Sequence, residues 1–185
     1  MLFRSRRLSN ESEFKVKGAL GTFNQADLLL SGSMPVSDTF RVGGSIATFN
    51  HDGWGDNLFT GEENADKEIT AYRLSLEWEP SDNWFVRLYG DYSQDDSTSR
   101  QGHRLLPALT GEPVLDDVFD TRAGISTFPA STGGLSPETT QGGVALQIEW
   151  NINDNLQLKS ITASRSDYTE SWIDFDNLPD RKSVV

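Results

Sequence analysis

The sequence predicts an all-β fold, an antiparallel up-and-down meander of about seven strands. Three observations lead to this prediction. Apolar and polar residues alternate with a period of two in several segments, most clearly from Thr70 to Asp95. The best of these segments are about ten residues long, which is longer than most strands of globular sheets. Short polar turns and long loops connect most of them in alternation.

The hairpin from Thr70 to Asp95 sets the pattern for the rest of the chain. Its first strand ends near Glu79, its second begins at Trp84, and the sequence PSDN at 80–83 supplies the turn between them. About ten residues match the length of a tilted strand that crosses a bilayer. The apolar face of the hairpin carries Tyr72, Leu74, Leu76, Trp78, Trp84, Val86, Leu88 and Tyr92. The opposite face carries Arg73, Glu77, Arg87 and Asp91.

Three strands are predicted before this hairpin. The alternation indicates strands from Glu13 to Phe23, from Ala26 to Pro35 and from Thr39 to Asn50. Tight turns at 24–25 and 35–38 connect them. A polar, Gly- and Asn-rich segment from His51 to Glu68 is then predicted as a loop.

Two further strands are predicted after the hairpin. The segment from Asp95 to Gln141 has no sustained period and is predicted to be a long loop. Alternation returns from Val144 to Asn151, and a weaker strand follows from Leu156 to Arg165. The acidic, aromatic tail from Asp167 to Pro179 is predicted to begin another loop.

The order of the connections indicates a transmembrane β-barrel. Short turns follow the second, fourth and sixth predicted strands, and long loops follow the third and fifth, as in outer-membrane barrels. Trp78, Trp84 and Trp150 fall at the short-turn end, where an aromatic girdle would meet lipid headgroups. The apolar face would then contact lipid and the charged face a wet lumen. The residues predicted to face the lumen are Arg41, Arg73, Glu77, Arg87, Asp91, Glu149 and Lys159.

Composition is consistent with such a barrel and narrows the classes of partner. The chain has 185 residues, of which 36% are hydrophobic, and no apolar run approaches the length of a transmembrane helix. Barrel strands give weak hydropathy signals because only every second residue faces lipid. A net charge of −12 argues against nucleic acid as a partner. The absence of cysteine excludes a disulfide framework and a thiolate metal site.

Both ends of the chain differ in character from the strands. Residues 1–5 (MLFRS) and 180–185 (DRKSVV) resemble translated sequencing adapters, so both are interpreted as non-native ends. The length favours a single domain. We assign residues 13–176 to that partial barrel domain.

Several segments resemble a known family. They are GTFNQADLLLSGSMPVSDTFRVGGSIATFNHDGWGDN, YRLSLEWEPSDNWFVRLYGDYSQDD and LQLKSITASRSDY. The repeated strand, SD turn and strand, with DGW at 52–54 and LKSIT at 158–162, resembles the early barrel strands of TonB-dependent outer-membrane receptors. The resemblance extends from Glu13 to Asp176.

This resemblance implies active import across the outer membrane of a Gram-negative bacterium. Members take up scarce nutrients such as iron-siderophore complexes, cobalamin, haem or glycans through a barrel of about 22 strands closed by a plug domain. The implied partners are outer-membrane lipid, the plug domain, the inner-membrane TonB complex and a small nutrient ligand. Since the sequence contains no recognisable plug, the chain is expected to be an incomplete piece of the barrel that does not transport alone.

Chemical motifs are sparse in this sequence. No catalytic constellation is recognisable, so an enzyme is not expected, and neither is a cofactor or a metal. Trp54, His51 and His103, with the long loop from Asp96 to Thr140, are the candidates for substrate capture, because outward loops carry selectivity in barrels. The acidic loop from Asp52 to Glu68 lacks the ligand spacing of an EF-hand, so a solvated loop is favoured over a Ca²⁺ site.

Two questions stay open at the level of sequence. The lumen-facing cations either contact a plug or an anionic ligand, or they pair with Glu77, Asp91 and Glu149 on neighbouring strands; pairing is favoured. The strands also fit a soluble β-sandwich that binds glycans, or a passive porin-type barrel. A sandwich would enclose one set of side chains in a two-layer core: Leu76, Val86, Leu88, Leu146 and Ile148.

Overall fold

A computed structural model of the chain describes residues 7–98, 100–109, 111–124, 138–171, 174–175 and 177–178. Both predicted non-native ends and parts of the tail predicted as a loop lie outside these ranges. In the described residues the fold is all-β, and none of them forms a helix long and apolar enough to span a membrane. The strands are β1 (Glu13–Leu20), β2 (Ala26–Pro35), β3 (Phe40–His51), β4 (Gly55–Asp56), β5 (Glu63–Asn64), β6 (Lys67–Ser81), β7 (Trp84–Asp95), β8 (Glu138–Asn153) and β9 (Leu156–Glu170).

The seven long strands form one antiparallel sheet in the order β1-β2-β3-β6-β7-β8-β9. Every neighbour in the sheet is also the next long strand in the chain, which confirms the predicted antiparallel meander of seven strands. The two-residue strands β4 and β5 pair with each other inside the loop between β3 and β6.

The register keeps each polarity on its own face. Leu30 pairs with Ile46, Ile46 with Tyr72, and Tyr72 with Tyr92, so apolar positions line up across four strands. The alternate positions align in the same way, since Arg41 pairs with Glu77. A slip of one residue would mix the two sets, so the alternation in the sequence specifies this register.

Several strand bounds differ from those predicted. β1 ends at Leu20, before the predicted Phe23, because Phe23 and Asn24 adopt left-handed backbone with φ of 56° and 51°. β8 begins at Glu138, within the predicted loop. β9 extends to Glu170, so the prediction of a loop from Asp167 was wrong for its first four residues. Pairing between the start of β8 and the end of β9 supplies the backbone hydrogen bonds that alternation alone did not reveal.

The two ends of the sheet have different connections. Short turns at 36–39, 82–83 and 154–155 lie at one end, which we call the short-turn end. The long connections at 52–66 and 96–137 lie at the other, the loop end. The β1–β2 turn is short although it lies at the loop end, as the sequence predicted.

Burial is inverted relative to a soluble sheet. The apolar face is largely exposed, and no second layer covers it in the described part of the chain. The charged face holds the buried positions of the seven long strands: Arg41, Gly43, Ala47, Glu77, Phe85, Arg87 and Ala145. The sheet is not closed, because its edge strands β1 and β9 do not pair with each other.

Candidate functional site

The charged face contains a buried ion cluster near the short-turn end. Glu77 on β6 has 0% of its surface exposed and lies between Arg41 on β3 and Arg87 on β7, which are 6% and 5% exposed. Arg87 Nε donates to Glu77 Oε1 at 2.8 Å, and Arg41 Nη1 lies 3.7 Å from Glu77 Oε2. Strand register explains the arrangement, because Glu77 is directly opposite both arginines.

The segment 7–10 crosses this charged face and completes the cluster. The backbone N–H of Leu8 donates to Glu77 Oε2 at 3.0 Å, so a second charge-assisted bond reaches the buried carboxylate. Arg41 Nε donates to Asn10 Oδ1 at 2.6 Å. Gly43 leaves room for the segment, since a Cβ there would lie 2.7 Å from Leu8 Cδ2.

Arg7 joins the cluster to a second group of carboxylates. Its guanidinium donates to Glu79 and to Glu149, each at 3.1 Å, and lies 4.0 Å from the centroid of the Phe85 ring. Lys159 donates to the other oxygen of Glu149 at 2.7 Å. The carboxylates of this region are therefore compensated by cations from the strands and from the N-terminal segment.

A separate ion pair spans three strands. Arg165 on β9 reaches Asp91 on β7 through two bonds of 3.0 and 2.9 Å. Gly143 on β8 lies between them in the register, and a Cβ there would approach Arg165 Cγ to 2.8 Å and Ser164 O to 2.6 Å. Glycine at this position lets the arginine side chain lie flat across the strand.

One arginine of the charged face, Arg73, forms no ion pair within the described residues. Arg73 is opposite Asp91 in the register, but Asp91 is bound by Arg165. The Arg73 guanidinium instead lies 5.4 Å from the centroid of the Tyr89 ring. The predicted pairing of cations with carboxylates on neighbouring strands is therefore observed for Arg41, Arg87 and Lys159. It is not observed for Arg73 within the described residues.

The three tryptophans of the predicted girdle share one end and one face. Trp84 and Trp150 are direct neighbours on β7 and β8 and stack with centroids 5.0 Å apart and planes 13° apart. Trp78 pairs with Phe40 in the register and is 48% exposed. An amphipathic aromatic row at the margin of an exposed apolar face is typical of a membrane interface.

At the loop end, buried amide side chains hold the long connections together. Asn57 is 1% exposed; its Nδ2 donates to Ala123 O at 3.0 Å, and its Oδ1 accepts from the N–H groups of Phe59 and Thr60. Asn64 Oδ1 accepts from the N–H of Gln101 at 3.0 Å. These bonds join the β3–β6 loop to the β7–β8 loop.

The tail after β9 is tied into the same cluster of loops. The N–H of Asp174 donates to Gln101 Oε1 at 2.9 Å, and Asp174 Oδ2 accepts from the N–H of Gly124 at 2.9 Å. Thr121, which is 1% exposed, donates to Gly102 O at 2.9 Å. Three loops that are distant in sequence therefore form one hydrogen-bonded unit.

The predicted substrate-capture residues lie in this loop region but do not form one site. His51 stacks on Trp54 with ring centroids 5.0 Å apart, and Phe23 meets the same indole edge-on at 6.4 Å. Trp54 is 39% exposed, so this aromatic group presents a surface to solvent. His103 bonds instead through Nδ1 with the Asp120 carbonyl at 3.0 Å.

The acidic loop residues have separate partners. Glu63 accepts from the N–H of Gly53 at 2.7 Å, Asp66 accepts from the N–H of Thr98 at 2.9 Å, and Asp52 accepts from the Asn24 amide. In the ranges that the structure describes, no group of three or more His, Cys, Asp or Glu side chains is placed to hold a metal ion.

Sequence reasoning missed three kinds of site residue. Arg7 and Asn10 were not assigned a role because a partner 30 or more positions away leaves no local signal. Arg165 was missed for a different reason, since its partner Asp91 lies two strands away rather than on the neighbouring strand. The buried loop residues are ordinary turn formers in the sequence: Asn57, Asn64, Gln101, Thr121 and Asp174.

No protein-family model matches the chain. No curated protein matches it either.

Proposed function

We propose that the chain forms part of the barrel wall of a TonB-dependent outer-membrane receptor that imports a scarce nutrient such as an iron-siderophore complex. One observation carries the proposal: the apolar face of the sheet is the exposed face. Leu74, Tyr72 and Leu88 are 55%, 49% and 46% exposed, whereas Glu77 on the opposite face is fully buried.

Energy favours a hydrocarbon environment for the apolar face. Each large apolar side chain gains about 1.5–3 kcal/mol when it leaves water completely. The exposed set forms a continuous face from Phe14 on β1 to Leu146 on β8, through Leu28, Ile46, Tyr72, Leu74, Leu88 and Val144. Soluble monomers rarely expose apolar patches of this kind without a partner, and lipid removes the cost.

Strand lengths support the same environment. β3 and β7 have 12 residues each, and β6, β8 and β9 have 15, 16 and 15. A bilayer core needs about 9–11 residues of tilted strand, so these strands are long enough to cross it and extend beyond it. Trp78, Trp84 and Trp150 would then lie at the periplasmic interface, as short turns do in such barrels.

The charged face fits a barrel lumen and the loop cluster fits the extracellular side. Ion pairs on the lumen side keep charge out of lipid and stiffen the wall. The loop cluster presents Trp54 and His51, with His103 nearby in the same unit, as candidates for ligand capture. Outer-membrane lipid, a plug domain and the TonB complex are the proposed partners.

Single-cysteine labelling of the 185-residue chain in lipid vesicles tests the proposal. The chain contains no cysteine, so each introduced thiol is unique. A nitroxide at L74C or L88C should be relaxed by dissolved oxygen and protected from a water-soluble nickel chelate. The matched labels S75C and Q147C, on the charged face of β6 and β8, should show the opposite preference.

The same labels distinguish the alternatives. Protection of L74C and L88C from both relaxing agents, in a chain that is monodisperse in plain buffer, would overturn the proposal and favour the soluble β-sandwich. Equal exposure of all four labels to the nickel chelate would exclude any embedded barrel wall.

A further inference from the structure

A polar cavity lies on the charged face beside the buried ion cluster. It has a volume of about 340 Å³ and is bounded on one side by Leu8 of the segment that crosses the sheet. Besides Arg87 and Glu77 of the ion cluster, its walls combine two cations, one carboxylate and small hydroxyl side chains: Lys15, Arg73, Glu13, Ser31, Ser33, Ser45 and Ser75. The cavity is open to solvent and belongs neither to the loop cluster nor to the predicted capture residues.

Strand register places the lining residues in a regular row. Lys15 pairs with Ser31, Ser31 with Ser45, and Ser45 with Arg73. The row therefore has two serines in the middle and one cation at each end. A parallel row follows two positions along the strands, where Ser33 and Ser75 flank Gly43 and Glu13 pairs with Ser33 at the end of the row. Neighbouring strands are about 4.8 Å apart, so Lys15 and Arg73 are separated by about 14 Å at their Cα atoms.

The charges around the cavity leave a local excess of positive charge. Arg87 and Glu77, which both line it, neutralise each other through the 2.8 Å bond. Lys15 lies 4.0 Å from Glu13, which also lines the cavity. Arg73 has no carboxylate within ion-pair distance in the described part of the chain, although it attracts Asp91, its partner in the register, which binds Arg165. This surplus is notable in a chain of net charge −12.

The hydroxyl groups are available for hydrogen bonding. Within the described residues the side chains of Ser31, Ser45 and Ser75 form no hydrogen bond with protein, and the Arg73 guanidinium lies over the Tyr89 ring without a hydrogen bond to protein. A cation–π contact leaves the N–H edge of a guanidinium free to donate. Hydroxyl donors beside a free guanidinium match the oxygens of an oxyanion.

We propose that this cavity binds a small oxyanion ligand, one that carries carboxylate or phosphate groups, with Arg73 as the main anchor. Ser45 and Ser75 would donate to its oxygens, and Lys15 would neutralise a second negative group at the far end of the row. The site goes beyond the proposed function, since it depends on the charged face and not on what covers the apolar face.

Calorimetric titration of the 185-residue chain in non-ionic detergent micelles tests the site, with citrate and inorganic phosphate as the probes. Binding should weaken about tenfold or more in R73Q, because a charge-assisted hydrogen bond is lost. R73K should retain part of the affinity, and S45A should weaken binding about fivefold through loss of a neutral hydrogen bond.

Matched controls separate a built site from general charge attraction. K17Q removes a cation from the same strand and face as Lys15, at a position that does not line the cavity. S93A removes a hydroxyl from the charged face of β7, also outside the cavity. Both should bind like the parent chain, and circular dichroism should show the same β content in every variant.

Three results would overturn the inference: no binding of either probe at millimolar concentration, parent-like binding by R73Q, or an equal loss in K17Q and R73Q. The spin-label experiment on the same sample reports the lipid contact of the apolar face independently. If the labels on the apolar face show no lipid contact but binding still depends on Arg73, only the barrel proposal is rejected. If the labels show lipid contact but binding does not depend on Arg73, only the oxyanion site is rejected.

Discussion

The two ends of this sheet bury polar groups in different ways. At the short-turn end, Glu77 is enclosed by Arg41 and Arg87, so charge compensates charge. At the loop end, Asn57 and Asn64 are enclosed by backbone groups from a distant loop. The first arrangement depends on strand register, and the second depends on how loops meet. We therefore expect damage at the short-turn end to spread through the sheet and damage at the loop end to stay local.

Removal of the Glu77 carboxylate should have the largest effect. E77A removes the buried carboxylate that compensates Arg87 and leaves Arg41 with Glu79, at 2.9 Å, as its remaining carboxylate, and we expect a loss of about 3–5 kcal/mol in the free energy of unfolding. Denaturant titration in micelles measures it. E68A removes an exposed carboxylate from the same strand and should cost less than about 0.5 kcal/mol. Similar losses in both variants would contradict the role assigned to the buried cluster.

Removal of the Asn57 amide should have a smaller and more local effect. N57A takes away three hydrogen bonds and leaves the Ala123 carbonyl without this donor, at a cost of about 1–3 kcal/mol in the local opening free energy. Hydrogen exchange at the amides of Phe59 and Thr60 should accelerate, while the amide of Leu74 in β6 should be unchanged.

The exposed residue Asn50 supplies the matched control for that change. N50A removes an amide at the end of β3, and exchange at Phe59 and Thr60 should stay at the parent rate. Equal acceleration at Leu74 and Phe59 in N57A would show that the loop cluster and the sheet open together, which would remove the contrast between the two ends.

Loss of the Arg165–Asp91 pair should have the smallest effect. Both side chains are substantially exposed, 49% and 33%, so water screens the attraction. R165Q should cost far less than E77A, and a double-mutant cycle with D91N should give a correspondingly small coupling energy. A coupling energy as large as the loss in E77A would show that the stabilisation by an ion pair on this face does not depend on its burial.

Alternation explains how much of the site was predictable. Because side chains alternate strictly along a strand, Arg41, Glu77 and Arg87 had to share a face, and the short turn at 82–83 brought Glu77 and Arg87 opposite each other. Pairing between neighbouring strands therefore followed from the sequence. The contacts of Arg7 and Arg165 did not, because they skip strands or come from outside the sheet.

The sequence by itself determined the seven-stranded meander, its register and the separation of apolar and charged faces, because a period of two and short turns act locally. Only the tertiary structure decided which face is buried and that Asp91 binds Arg165 rather than Arg73, its neighbour in the register. It also decided how hydrogen bonds through Asn57, Asn64 and Gln101 join the loops. These features arise from contacts between distant segments, where long-range geometry selects among partners that the local pattern leaves equivalent.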